Sequence, residues 1–220
     1  MQQIFLQQQH SKNLVLIFLG YGQDQNPFNS LKTVTSDDIA IVFDYQDLSF
    51  DESLYQEYDQ ITLIAWSMGV MIAPIVLSKI TSKIVKKIAL NGTVQGIDDT
   101  LGIPASLWQA TIDSLTEQTY LKFVRRMCSD ASLYEEYLQN KPKRTIESFK
   151  RELISLQAIA KQRKQNNFEY DLAIVGNKDK IIAPKNQLLS WSNSLVYIKQ
   201  TEIAHYSLET FKALVAHENY

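Results

Sequence analysis

The chain has 220 residues, enough for one domain with a filled core and short for two. Its apolar fraction of 45% and charged fraction of 21% are ordinary for a globular chain, and a net charge of −2 excludes the basic excess of a generic nucleic-acid binder. Cys128 is the single cysteine, so no intrachain disulfide can form, and a reducing, cytoplasmic setting is expected.

Short apolar runs come first, at residues 4–6, 14–19, 39–43, 61–65 and 84–90. Their unbroken Ile- and Val-rich character predicts strands covered on both faces, as in a parallel sheet. The run at 14–19 falls far short of the roughly 20 residues of a membrane span. The polar stretch at 7–12 before it, with no clean cleavage site after it, argues against a secretory signal. Residues 68–80 are apolar for long enough to form a buried helix, so 61–90 reads as strand, helix, strand. From Gly92 onward the texture changes, with helical periodicity at 115–127 and 148–159 and many charges and amides. Strand-like runs return at 170–175 and 195–198, and a helical stretch follows at 207–216. The expected organisation is a single α/β domain over 1–220, with a mostly parallel sheet flanked by helices and a helical lid insertion at about 92–167.

Ala65-Trp66-Ser67-Met68-Gly69 sets a serine between a predicted strand and an apolar helix. That is the context of a nucleophile elbow, whose usual pattern is G-x-S-x-G. Ala65 replaces the first glycine and Gly69 is retained; the turn crowds both positions, so both must be small. Taken alone, Ser67 reads equally well as a helix N-cap.

A nucleophilic serine needs a positioned base. Of three histidines, His10 lies in a polar turn ahead of every candidate catalytic strand, and His217 sits in the last residues at an expected surface. His205 falls in the loop between the last predicted strand and the last helix, where a base belongs. Asp179 follows a strand and Gly176 and is placed to orient that histidine, with an ordinary turn aspartate as the alternative. Asp171 is a weaker rival, at the wrong end of its strand. The chain order Ser67, Asp179, His205 is that of the α/β-hydrolase fold. Acyl transfer also needs an oxyanion hole, for which the N–H groups of Met68 and of Tyr21, in Phe18-Leu19-Gly20-Tyr21-Gly22, are the candidates.

All five arginines, Arg125, Arg126, Arg144, Arg151 and Arg163, fall in the insertion. Residues 92–166 hold 11 basic and 9 acidic side chains, a net +2 against −4 for the remainder. Lys122, Arg125 and Arg126 can share one helical face, and Lys143, Arg144 and Arg151 a second. Such clusters suit an anionic carrier or acidic substrate; they equally suit a solvated face paired with acids such as Glu147 and Glu152. Trp66, Phe123 and Met127 are candidates for a substrate wall, although Phe123, Met127 and Trp108 also read as the core of the insertion.

With these residues in view, the chain resembles the BioG type of pimeloyl-[acyl-carrier protein] methyl ester esterases. The resemblance runs through Phe18–Gly22, Phe43-Asp44-Tyr45-Gln46-Asp47-Leu48, Ala65–Gly69, Asn91-Gly92-Thr93 and Gly102-Ile103-Pro104. It continues through Leu121-Lys122-Phe123 with Arg125-Arg126, Lys178-Asp179-Lys180-Ile181 and His205-Tyr206. Ala65, a departure from the general elbow, is what this family shows. The resemblance implies hydrolysis of a methyl ester on a carrier-bound pimeloyl chain in biotin precursor synthesis, without metal or organic cofactor. It further implies an acyl carrier protein as partner, met by insertion arginines, with Arg125 and Arg126 in a matching stretch and Arg144 and Arg151, outside any matching stretch, as further candidates. A short-chain carboxylesterase, an acyl-carrier thioesterase and an inactive carrier-binding protein are the alternatives.

Overall fold

The computed structural model describes residues 1–77, 79–162, 167–192 and 194–218. Among these residues seven strands form one sheet: β1 (Gln2–Gln7), β2 (Asn13–Phe18), β3 (Asp38–Phe43), β4 (Gln60–Trp66), β5 (Ile84–Leu90), β6 (Leu172–Gly176) and β7 (Tyr197–Thr201). Their order is β1-β3-β2-β4-β5-β6-β7, with β1 antiparallel to β3 and every other pair parallel. The apolar runs form strands for the expected reason: β3 and β6 are buried along their whole length, and β2 and β4 at every residue but the first.

β7 departs from the expected position. The apolar residues at 195–198 suggest an early start, yet the strand begins at Tyr197 and runs through Lys199 and Gln200, leaving Leu195 91% exposed. As an edge strand it needs a backbone partner on β6 more than an apolar sequence. The helix expected over 68–80 is likewise shorter, α1 (Gly69–Val76). Pro74 lies inside it and has no N–H to give the Val70 carbonyl, which instead accepts the Tyr170 hydroxyl at 2.9 Å.

Among the described residues, four helices lie between β5 and β6: α2 (Ala105–Asp113), α3 (Glu117–Cys128), α4 (Ala131–Gln139) and α5 (Ile146–Gln162). Thr116 and Thr119 close a capping box on α3, and Asp130 caps α4 by accepting from Leu133 N. The Trp108 indole on α2 donates to the Leu153 carbonyl on α5 at 3.1 Å, joining the first and last of these helices. α6 (Pro184–Trp191) and α7 (Leu208–Val215) follow β6 and β7. No helix among the described residues is long and apolar enough to cross a membrane.

The strand order places a site. β2 has β3 on one side and β4 on the other, so the connections after β2 and β4 leave the sheet in opposite directions and open a crevice at their C-terminal ends. The loop after β2 and the Ser67 turn meet there. Gly69 makes the meeting possible, because a Cβ on it would lie 2.4 Å from the Phe18 carbonyl oxygen at the end of β2. Replacing Gly69 with Ala should therefore lower stability by roughly 1–3 kcal/mol through overpacking against rigid backbone. A urea unfolding curve checks this: the midpoint falls and the slope is unchanged.

Candidate active site

Three strands that follow one another in the chain end in left-handed backbone at non-glycine residues: Asp44 after β3 (φ 61°), Ser67 after β4 (φ 57°) and Asn91 after β5 (φ 45°). Such conformations cost of order 1–3 kcal/mol each and persist only where the surroundings hold them. At Ser67 the surroundings are tight. Its N–H donates to the Leu90 carbonyl at 3.0 Å, and a Cβ on Gly20 would lie 3.1 Å from the Ser67 Cβ. The turn thus lifts the hydroxyl off the strand and against the loop after β2.

Ser67 Oγ lies 2.9 Å from His205 Nε2, and His205 Nδ1 lies 2.8 Å from Asp179 Oδ2. The carboxylate only accepts, so Nδ1 carries the proton and Nε2 is left to accept from the serine hydroxyl. Asp179 Oδ1 accepts from the N–H groups of Ile181 and Ile182, at 2.7 and 3.0 Å, which fixes the carboxylate on its loop. All three side chains are buried. The structure therefore brings together the residues singled out in the sequence, in a geometry that can take a proton from the serine as it attacks a carbonyl carbon.

Tyr21 and Met68, the oxyanion-hole candidates, lie beside this group. No hydrogen bond among the described residues takes up either backbone N–H. Both residues are buried beside Ser67, Tyr21 on the loop that crowds it and Met68 next in the chain. Two free donors next to a nucleophile can stabilise a developing oxyanion. The remaining candidates lie elsewhere. His10 is exposed, and His217 pairs with Asp37 at 2.7 Å just ahead of β3, at the N-terminal end of the sheet. Asp171 accepts from Lys87 N at 2.7 Å just before β6, away from the histidine. The Cys128 thiol is buried and pushed up to about 12 by that burial, so it remains protonated and is no rival nucleophile.

Asn91, given no role in the sequence reading, and Trp66, read there as a substrate wall, both hold the loop of His205. Trp66 Nε1 donates to the His205 carbonyl at 2.8 Å, and Asn91 Nδ2 donates to the carbonyls of Ala204 and His205 at 2.8 and 3.0 Å. Asn91 Oδ1 in turn accepts from Gly176 N at 2.7 Å, linking the histidine loop to the strand that leads to Asp179. The Trp66 ring packs 5.4 Å from the imidazole, so this residue supports His205 from the core instead of forming a substrate wall. Met127 is fully buried too, its carbonyl accepting from Tyr206 N at 3.1 Å. Phe123, the third wall candidate, lines a cavity. It bounds a space of about 230 Å³ between α2 and α3, with Tyr21, Leu107, Leu115 and the exposed Lys122 and Arg126.

The arginines divide. Arg125 is exposed and stacks over Tyr134, 5.0 Å from its ring centre. Arg126 is exposed but donates to the Lys180 carbonyl at 3.0 Å, next to the acid loop. Arg151 is exposed and reaches Gln46 at 2.6 Å; Arg163 lies outside the described residues. Arg144 corrects the docking expectation. Its guanidinium is turned inward onto Glu152 (2.7 Å), Asp44 (2.5 Å) and the Gln23 carbonyl (3.0 Å), with little left for a partner.

Glu152, which one of the two readings of the sequence places on a solvated face, is fully buried. Its carboxylate also accepts the N–H of Gly22 at 3.2 Å and of Tyr45 at 3.1 Å. Burial raises its carboxyl above the ordinary range, against the opposing pull of Arg144 and the two N–H groups. A signal for this was present: Phe149, Glu152, Leu153 and Leu156 share one buried stripe of α5, so the acid occupies a core position.

Comparison with known proteins agrees with the fold and narrows the family. A family model described as "Pimeloyl-ACP methyl esterase BioG" matches residues 1–216. The crystal structure of BioG from Haemophilus influenzae is 35% identical, superposes with a TM-score of 0.86, and covers 96% of this chain and 97% of that one. An esterase from Exiguobacterium antarcticum has a TM-score of 0.72 at 15% identity, over 98% of this chain and 93% of its own, a likeness of fold alone. The fold is that of the α/β-hydrolases. A Bacteroides fragilis (strain 638R) protein described as malonyl-[acyl-carrier protein] O-methyltransferase is 36% identical over 205 residues. Those residues are 93% of this chain but 42% of that protein, so the chain spans less than half the length of this relative.

The two classes of arginine separate in a stability experiment. Arg144→Ala leaves Glu152 buried without its charge partner and should cost about 3–5 kcal/mol in urea unfolding. Arg125→Ala, at an exposed site, should stay within about 0.5 kcal/mol of the parent.

Proposed function

Because residues 1–216 match its family model, the chain belongs to the BioG family of pimeloyl-ACP methyl esterases, and we propose that it hydrolyses the methyl ester of a carrier-bound pimeloyl chain through an acyl-enzyme on Ser67. The observation that carries this reading is the unbroken relay from Ser67 Oγ through His205 to Asp179, at 2.9 and 2.8 Å. As Ser67 attacks the ester carbonyl, His205 Nε2 takes its proton and Asp179 stabilises the resulting imidazolium. The negative charge that develops on the carbonyl oxygen is met by the N–H groups of Tyr21 and Met68. Collapse of the tetrahedral intermediate breaks the bond to the methoxy oxygen, which leaves as methanol with the proton from His205. Water then attacks the acyl-enzyme with His205 again as base, returning the serine and freeing the terminal carboxylate.

The insertion serves this reading as a lid. The cavity between α2 and α3 has apolar walls suited to a methylene chain, and Tyr21 on one wall ties it to the oxyanion loop. Lys122 and Arg126 line it with cationic groups and Arg125 is exposed on the same helix, so this surface suits a phosphorylated carrier arm or an acidic carrier. The alignment with part of a protein described as malonyl-[acyl-carrier protein] O-methyltransferase supports the same substrate class: a methyl group placed on a carrier-borne acid is the bond this chain would cleave.

Wild type should react with a fluorophosphonate probe and Ser67→Ala should not; an unlabelled wild type would sink the serine mechanism. Ser67→Ala should also lower turnover of methyl pimeloyl-carrier by about 10,000-fold or more. Release of free pimelate from a carrier thioester, in preference to methanol from the methyl ester, would make the protein a thioesterase. Replacing Arg125 and Arg126 together should impair the carrier-bound ester by about tenfold or more, while a nitrophenyl acetate stays within about twofold, since only the former meets the lid surface. Equal losses on both esters would mean that these arginines are structural.

A further inference from the structure

Asp179 has a second side-chain partner that the hydrolytic cycle does not use. Its Oδ2 receives His205 Nδ1 at 2.8 Å and also the Nε2 of Gln187, again at 2.8 Å. Gln187 lies on α6 and is fully buried, and its Nε2 also donates to the Ile182 carbonyl at 2.9 Å. Chemistry fixes the orientation of this amide. Both neighbours are acceptors only, so an oxygen in place of Nε2 would face two oxygens. The consequence is that Oε1 is buried with no hydrogen-bond partner among the described residues. An apolar side chain of similar size would fill the same space without stranding an acceptor, so packing alone is a poor account of this glutamine.

We propose that Gln187 is a positioning residue for the triad: it clamps the Asp179 carboxylate across its own 179–182 turn, aims Oδ2 at His205 and shares the negative charge that the imidazole would otherwise meet alone. The assignment rests on the reading of Ser67, His205 and Asp179 as the catalytic residues. Among the described residues, the titratable and charged groups that accompany the amide are Asp179 and His205 themselves, Lys178 and Lys180 on the acid loop, and Lys185 on α6. Arg126 reaches the Lys180 carbonyl from α3. Gln187 is the side chain among these that donates to the oxygen facing His205. Taking that donor away concentrates charge on Oδ2 and strengthens its hold on the imidazolium.

The test compares wild type with Gln187→Met, which keeps the volume and loses both donors, and Gln187→Glu, which keeps the shape and adds a carboxyl. The ring C–H signals of His205 are titrated by NMR alongside the pH dependence of kcat and KM; with three histidines in the chain, assignment is direct. Gln187→Met should move the His205 titration upward by about half a unit, and Gln187→Glu should move it further upward. In Gln187→Met, kcat should fall about tenfold or more while KM stays within about twofold, as for a group that acts only on the chemical step. Titrations that coincide with wild type in both variants overturn the proposal, as does a loss of kcat with no change in titration, which would reduce Gln187 to packing. If Gln187→Met does not fold, the titration of Gln187→Glu decides. A wild type that leaves the ester intact overturns the functional reading instead, and the NMR comparison still decides the role of Gln187.

Discussion

A carboxylate buried among the insertion helices governs how the site is assembled. Glu152 accepts from the backbone of two loops at the C-terminal edge of the sheet, Gly22 after β2 and Tyr45 after β3, and pairs with Arg144, which also grips Asp44 and the Gln23 carbonyl. Two strands and the insertion are thereby tied to one pair of charges. Removing such a charge from water costs several kcal/mol, and its partner offsets little more than that cost. The pair is therefore better regarded as a device of geometry than as a source of net stability. What it fixes is the backbone from Gly20 to Gly22, the loop that crowds Ser67. Tyr45 adds to the grip, its hydroxyl donating to the Leu19 carbonyl at 2.7 Å.

The base is held in a corresponding way from the opposite side. Trp66 and Asn91 take the His205 carbonyl, and the ring lies between Asp179 and Ser67. Each anchor comes from the C-terminal end of a neighbouring parallel strand, so the register of the sheet sets the spacing of the site. Ala65, in register with Phe18 on one side and Ala89 on the other, sits where the strands are closest to this machinery. A small side chain suffices there, whereas Gly69 has no such latitude because the Phe18 carbonyl occupies the place of a Cβ.

The parts legible in the sequence were those whose chemistry demands a local context. Ser67 needed a strand before it and a helix after it, His205 a loop after a late strand, and Asp179 a tight turn after β6. The backbone supplied each of these within a few residues. Arg144 and Glu152 are eight residues apart, and their chief partners, Asp44, Gly22 and Tyr45, lie about a hundred residues away or more. Nothing local announced that pairing except an acid on the buried stripe of α5. Trp66 was misplaced for a similar reason: an aromatic beside a nucleophile suggests a substrate wall, but its indole N–H was committed to a carbonyl 139 residues on. β7 shows the same limit in a strand, since an edge strand is defined by its neighbour's backbone more than by its own side chains.

The burial of the triad bears on how a tethered substrate would reach it. Ser67 is 5% exposed and His205 1% exposed, so both side chains are screened from bulk water and their electrostatic interactions are correspondingly strong. Tyr21 stands at the centre of the screen, edge-on to Trp108 of α2, Phe123 of α3 and Phe149 of α5, at ring separations of 5.7 to 6.2 Å. One residue of the loop that crowds Ser67 thus supplies the side chain that meets three insertion helices. On the proposed reading, an acyl chain entering between α2 and α3 would press on the same tyrosine whose N–H receives the oxyanion. Lid occupancy and oxyanion geometry would then be linked through a single residue, while the Glu152–Arg144 pair holds its neighbour Gly22 in place.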